Sequence, residues 1–250
     1  MSLQASALRC LGIRRGEVVG IAGAGGKTTL VYRVAAEARA AGLTVLVTTT
    51  THMGTLPEAV TGPVLVEEED GATDKVRDAL ASEGRATLLG RRVRPDKLAG
   101  VAPERVDDLR SAADLVLVEA DGARGRSLKV PAAHEPVLPR TLTLLVVLVA
   151  LDALGEPLTD ECVHRVDLVS AASGTALGEA VDEDTVVACL RHTRGYLSRL
   201  PPGARAAVFL NKAEDAERRA AAQRIARRLV PPYGLVAGGS ARGAAVRLWP

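Results

Sequence analysis

Gly23-Ala24-Gly25-Gly26-Lys27-Thr28-Thr29 follows the apolar run Val18-Val19-Gly20-Ile21-Ala22 and opens a stretch with helical spacing. Residues of these types in this order hold phosphate. Glycines let the backbone turn tightly with its N–H groups facing inward, and the start of the next helix adds a partial positive charge from unpaired amides. Lys27 is long enough to reach terminal phosphates, and the Thr28 hydroxyl suits a magnesium ion. The usual phosphate loop places a glycine five residues before the glycine of its Gly-Lys pair; Ile21 stands at that position here.

Three further stretches carry groups that such a site needs. Thr48-Thr49-Thr50-Thr51 runs from a short apolar strand into His52-Met53. β-Branched residues suit a strand end. Hydroxyls at the carboxyl edge of an open α/β sheet also stand where magnesium, its waters or a γ-phosphate would sit. Thr51 and His52, the outermost, are the members we assign to that chemistry. Leu115-Val116-Leu117-Val118 reads as a buried strand that ends in Glu119-Ala120-Asp121-Gly122. Alternation in an extended chain points both carboxylates one way, and magnesium would let both stay ionised at close range. The proline-punctuated loop that follows, Ala123 to Pro136, holds Arg124, Arg126, Lys129 and His134. These groups suit phosphate clamping or an anionic substrate; an exposed basic surface is the plainer alternative, and adjacency to the acidic strand end favours the functional reading.

A fourth stretch, Asn211-Lys212-Ala213-Glu214-Asp215, stands at the end of a strand over Ala206 to Leu210. It resembles the Asn-Lys-x-Asp base-recognition motif of GTPases. There the amide pairs with the purine edge, the lysine stem packs on the base and the carboxylate takes the guanine N–H pair. The fourth position here is Glu214, so ATP and GTP both remain candidates, and the segment also reads as a cap for the helix after it. His164-Arg165 reads first as structural.

The elements that must position these groups alternate in type. The patterning predicts a short helix in 2–11 and strands near 17–22, 43–47, 63–66, 86–89, 115–118, 142–150, 206–210 and 235–239. Helices are predicted over 27–41, 70–81, 182–197 with Asp182 as cap, and 216–229, and Pro95 and Pro103 mark helix starts in the charged stretch 91–112. Strands alternating with helices, and motifs gathered at strand ends, predict an α/β fold: a doubly wound, mostly parallel sheet. With 250 residues and no linker, repeat or low-complexity stretch, 1–250 reads as a single phosphate-loop nucleotide-binding domain.

Composition removes several function classes. Thirty-two Lys and Arg against thirty Asp and Glu leave a net charge of +2, and aromatic residues are 2% of the chain, which argues against a nucleic-acid partner. The longest apolar run, Leu142 to Leu151, is too short to span a bilayer. Cys10, Cys162 and Cys189 are far apart, and Met1-Ser2-Leu3-Gln4 lacks the pattern of an export signal. Reduced thiols and a cytoplasmic location are the expectation.

The shortened Gly-x-x-Gly-Lys-Thr-Thr loop is similar to that of Mur-type ligases and some metallochaperone-type NTPases. The wider set of motifs resembles the YqeC family. The residues that carry this are the loop 23–29, Thr48 to Met53, Glu119 to Ala123, Leu128-Lys129, His134-Glu135-Pro136, Leu151 to Gly155, Val163-His164-Arg165 and Leu210-Asn211-Lys212, which together cover most of the chain. Members are described as accessory proteins of selenium-dependent molybdenum hydroxylases. The resemblance implies a P-loop NTPase-like fold and a part in maturing such an enzyme, with that hydroxylase or its cofactor-maturation proteins as partners.

From residues and resemblance together, the expected activity is magnesium-dependent hydrolysis of ATP or GTP. Lys27 and the amides of Gly23 to Thr29 hold phosphate, Thr28 with Thr51, Glu119 or Asp121 holds magnesium, and Glu119, Asp121 or His52 orients water. Arg124 or Arg126 stabilises charge on the transferring group, while Asn211, Lys212 and Glu214 meet the base. Phosphoryl transfer to a small molecule, as in a kinase or Mur-like ligase, and a non-hydrolysing nucleotide switch are the alternatives.

Overall fold

The computed structural model describes residues 6–54, 62–94, 97–243 and 246–249. In chain order, α1 (Ala7–Cys10) precedes β1 (Glu17–Gly23), α2 (Lys27–Ala40), β2 (Val45–Thr49), β3 (Met53–Gly54) and β4 (Val64–Val66). Then come α3 (Ala72–Glu83), β5 (Arg85–Leu89), β6 (Arg92–Arg94), β7 (Lys97–Leu98), α4 (Pro103–Leu109), β8 (Leu115–Glu119), β9 (Leu128–Lys129) and β10 (Leu144–Ala150). The chain ends with β11 (Val163–His164), α5 (Val166–Ser173), α6 (Glu183–Arg191), β12 (Arg205–Asn211), α7 (Ala216–Leu229), β13 (Leu235–Gly239) and β14 (Val246–Trp249).

Nine strands form one sheet in the order β14-β13-β12-β10-β1-β8-β2-β5-β4, parallel throughout except for the β13–β14 pair. Its central strands are apolar on both faces, as a sheet covered on both sides requires: every residue of Leu144–Ala150 is buried. Two apolar layers result. One gathers α1 and α2 against Val19, Ile21, Leu117 and Leu148, and the other gathers α3, α4, α5, α6 and α7 against Val18, Val116, Val147 and Val208. This is the doubly wound α/β architecture.

Chain direction across the sheet reverses at β1. Its successors β2 and β5 lie on one side, and β10, β12 and β13 lie on the other. Ligands of open α/β sheets bind at the carboxyl ends of strands at such a reversal, and the 23–29 loop leaves β1 at that point.

Several elements depart from the sequence expectation. β2 begins at Val45 and takes in Thr48 and Thr49, because strand pairing with β8 continues to Thr49↔Glu119. The helix expected over 182–197 ends at Arg191; Asp182 and Thr185 close its N-terminus with a capping box, and a 3-10 turn at Tyr196–Arg199 follows. Two small sheets, β11-β9 and β3-β7-β6, and the antiparallel β14 were not anticipated. Pro103 starts α4 as expected. Pro95 and the first five residues lie outside the described residues.

Candidate nucleotide site

The turn between β1 and α2 exists because its glycines occupy backbone space that no side chain could share. Gly25 (φ 82°) and Gly26 (φ 122°) both sit in left-handed territory. A Cβ on Gly25 would lie 2.2 Å from Ala150 Cβ, and one on Gly26 would lie 2.5 Å from Asn211 Nδ2. The loop is therefore pressed against the ends of β10 and β12. Lys27 is 5% exposed and folds back so that Nζ donates to Gly23 O at 2.9 Å.

Two carboxylates from the end of β8 converge on that ammonium. Glu119 Oε1 lies 3.9 Å and Asp121 Oδ1 3.4 Å from Lys27 Nζ. Their other contacts separate them. Glu119 Oε2 accepts from Thr28 Oγ1 at 2.8 Å, which puts a hydroxyl and a carboxylate side by side at the start of α2. Burial pushes the Glu119 carboxyl above its ordinary range, against the opposing pull of Lys27 and Thr28.

Asp121 instead braces the loop. Both of its oxygens accept the Gly23 N–H at 3.0 Å, and Oδ2 also pairs with Lys129 Nζ at 2.9 Å. Lys129 continues the chain of charge: its Nζ donates to Gly122 O and to Glu135 Oε2, each at 2.7 Å. Arg165 closes it through Glu135, with Nη1–Oε2 at 2.5 Å and Nη2–Oε1 at 3.1 Å. Burial alone would raise the Glu135 carboxyl, but Arg165 and Lys129 hold it down at about 2.

A cleft of ≈ 340 Å³ opens above the loop, lined by Gly25, Gly26, Lys27, Thr28, Thr29, His52, Glu119, Gly122, Ala123, Arg124 and Gly125. It shares Gly25, Gly26, Thr29 and Gly125 with a second cavity of ≈ 430 Å³, lined further by Asn211, Lys212, Glu214, Ser240, Ala241 and Arg242. The two cavities thus adjoin along the carboxyl edge of the sheet.

Comparison with known proteins bears on this arrangement. The profile of the YqeC protein family matches residues 19–167. A relative from Escherichia coli (strain K12), "Uncharacterized protein YqeC", is 32% identical over 206 residues, which is 82% of this chain and 79% of the relative. The chain belongs to the YqeC family. Among solved structures, chloroplast FtsY from Physcomitrella patens is similar at 14% identity and a TM-score of 0.43, over 100% of this chain and 67% of that one. The signal recognition particle receptor FtsY from Elizabethkingia anophelis is similar at 14% identity and a TM-score of 0.44, over 94% of this chain and 61% of that one.

Within this YqeC-family fold, Gly25 to Thr29, His52, Glu119, Arg124, Asn211, Lys212 and Glu214 line the connected cavities. Gly23 and Ala24 form the loop's base: Gly23 N–H faces Asp121, and Ala24 N donates to Leu148 O. Thr51 stands behind the wall of the cleft, where a Cβ on Gly122 would lie 3.9 Å from its Oγ1.

Other candidates are engaged elsewhere. Thr48, Thr49 and Thr50 donate their hydroxyls to Leu88 O, Glu119 O and Val137 O, so that part of the threonine run ties strand ends together. Asn211 Nδ2 donates to Gly25 O at 2.7 Å, and its Oδ1 accepts from Ala241 N at 2.8 Å, so both ends of the amide lock the loop after β13 to the phosphate loop. Lys212 pairs with Asp152, and Asp215 caps α7 by accepting from Arg218 N. Arg126 is not among the residues that line the cleft. Lys129, 1% exposed, belongs to the buried brace rather than to a phosphate clamp, and His134 is exposed.

Sequence reasoning did not find the brace. Its signal was present as Leu128-Lys129 and His164-Arg165: Lys129 lies on β9, Arg165 directly follows β11, and the two strands pair in register at Val163↔Leu128 and His164↔Lys129. Among the described residues, no group of three or more His, Cys, Asp or Glu side chains could hold a metal ion, and no helix is long and apolar enough to cross a membrane.

Proposed function

We propose that this protein binds a purine nucleoside triphosphate with magnesium and hydrolyses it, and that it serves as an accessory factor in maturing a selenium-dependent molybdenum hydroxylase. The observation that carries the nucleotide reading is the Thr28–Glu119 pair, 2.8 Å apart beside a buried Lys27 under a glycine turn. A hydroxyl and one carboxylate are too few to hold a cation alone, which fits magnesium, a cation that keeps waters and takes remaining ligands from phosphate oxygens. When bound, magnesium supplies neutralisation of charge on the β- and γ-phosphate oxygens.

The chain's own residues do the rest. Loop amides from Gly25 to Thr28 bind phosphate at the N-terminus of α2, and Lys27 exchanges Gly23 O for terminal phosphate oxygens. Thr28 and Glu119 hold magnesium directly or through water. Asp121 keeps the loop in shape through Gly23. Arg124, exposed in the lining of the cleft, stabilises charge on the transferring group, and His52 in the same lining orients water. The nucleoside fills the second cavity against Lys212 and Arg242, with Glu214 at the base. The hydroxylase-maturation role rests on the family resemblance of the motifs.

Calorimetry with ATP and GTP in magnesium tests this reading: the parent protein binds a nucleotide and Lys27→Ala loses at least about tenfold in affinity. Equal affinity of parent and variant overturns it. Phosphoryl transfer to a small molecule is the second reading. A polar cavity of ≈ 340 Å³, lined by Ser127, Asp152, Glu156, Thr159 and Arg218, lies across the 123–127 loop from the nucleotide space and favours it. A phosphorylated product, rather than free phosphate alone, distinguishes the two.

A further inference from the structure

Tyr32 carries a buried hydroxyl that accepts and donates nothing among the described residues. Such a group is costly to leave unpaired, since it has lost water without gaining a partner. Its position on α2 is specific. Tyr32 is four residues after Thr28, so the two lie on one face of the helix, and a long helical side chain leans back over the preceding turn. That turn is where Thr28 Oγ1 meets Glu119 Oε2. Leu115, Leu117 and Glu119 alternate onto the sheet face that α2 covers, and Tyr32 packs on the same apolar layer. Burial, and then the charge on Glu119, push the Tyr32 phenol well above its ordinary range, which agrees with a hydroxyl lying in the field of that carboxylate.

The surroundings of Glu119 show what the hydroxyl is for. The carboxylate has Thr28 on Oε2 and the Lys27 ammonium 3.9 Å from Oε1, while Asp121 repels it. If nucleotide draws Lys27 toward phosphate, as the proposed function requires, Oε1 loses its cation while remaining buried. A buried carboxylate then needs another donor.

We propose that Tyr32 is a positioning residue for Glu119, donating its hydroxyl to the carboxylate in the nucleotide-loaded state and so holding it beside Thr28 for the cation. This rests on the nucleotide reading of the site. It assigns Tyr32 no contact with nucleotide or cation; it acts through Glu119.

Calorimetry with non-hydrolysable ATP and GTP analogues, once in EDTA and once in excess magnesium, tests the assignment. The readout is the gain in affinity that magnesium confers. For Tyr32→Phe the gain falls about tenfold, the scale of one hydrogen bond to a charged group, while affinity in EDTA stays within about twofold. The unliganded variant melts at the same temperature or higher, because the deleted hydroxyl had no partner. In a Glu119→Gln background the same change removes nothing further. A Tyr32→Phe protein that keeps the whole magnesium gain overturns the assignment, as does one that loses affinity equally in EDTA and magnesium with a lowered melting point, which marks packing alone. A parent protein that binds no analogue in either condition overturns the nucleotide reading and this one with it, whereas parent binding with an unaltered variant overturns only the role of Tyr32.

Discussion

Asp121 takes the Gly23 N–H on both carboxylate oxygens at 3.0 Å while lying between the ammonium groups of Lys27 and Lys129, at 3.4 and 2.9 Å. A single side chain therefore fixes the first residue of the glycine turn and neutralises two buried cations. Glu119, two residues earlier, is free of the loop backbone and faces Thr28 instead. The two acids at the end of β8 thus have separate partners, Asp121 the loop backbone and Glu119 the Thr28 hydroxyl.

Asp121→Asn retains an acceptor for Gly23 and removes the charge. It leaves Lys129 with Glu135 as its remaining acidic partner and Lys27 facing Glu119 alone. Breaking a buried ion pair by removing one partner costs roughly 3–5 kcal/mol. Urea unfolding of Asp121→Asn is expected to show a loss of that order, with weaker nucleotide binding as a consequence of the loosened loop.

Glu119→Gln is expected to behave oppositely. Lys27 keeps Asp121 at 3.4 Å and Gly23 O as partners, and an amide of the same shape still accepts from Thr28, so unfolding stability falls less than in Asp121→Asn. Magnesium-dependent nucleotide affinity falls at least about tenfold. The pair of variants, measured by urea midpoint and by calorimetry with and without magnesium, separates brace from cation ligand.

The glycine turn after β1, its flanking strand and helix, and both acids at the end of β8 were legible because local residue types fix them: glycines where φ is positive, a lysine and threonine at a helix start, and acids after an unbroken apolar strand. The brace was not legible, because Lys129, Glu135 and Arg165 are joined by tertiary contacts on short strands and loops that have no periodicity. Asn211 shows the same limit. Its type announces an amide that pairs with something, yet only the fold decides that the partners are Gly25 O and Ala241 N. β14 escaped notice because four residues, two of them exposed, give no alternation to read.

The brace gives stability a pH dependence with a definite sign. Glu135 has its folded pKa lowered from 4.5 to about 2 by Arg165 and Lys129, which outweigh the opposing effect of burial. A carboxylate with a depressed folded pKa stabilises the protein above its unfolded pKa, and that contribution is lost as pH falls through the folded value. Between pH 4.5 and 2 the parent is expected to lose roughly 3 kcal/mol from this group. Urea midpoints measured across that range fall less steeply in Glu135→Gln, which starts from a lower stability at pH 7 because Lys129 and Arg165 lose their shared partner.

The cavity that holds Asn211 and Glu214, where the proposed function seats the nucleoside, yields a prediction that separates affinity from selectivity. Asn211 is committed at both ends of its amide, so Asn211→Ala removes the tie between the phosphate loop and the loop after β13 without removing a reader of the base. ATP and GTP are expected to weaken together, each about tenfold or more, because the loss falls on loop geometry. Glu214 stands in the same cavity, and among the described residues its carboxylate accepts no hydrogen bond. A carboxylate only accepts, which suits the paired N–H groups of a guanine edge and repels the ring nitrogen that adenine presents there. The parent is therefore expected to prefer GTP, and Glu214→Gln to shrink the GTP-to-ATP affinity ratio while leaving inorganic triphosphate binding unchanged. Calorimetry with ATP, GTP and triphosphate on the two variants checks both parts. An Asn211→Ala protein whose losses differ between the two nucleotides would mean that the amide reads the base after all.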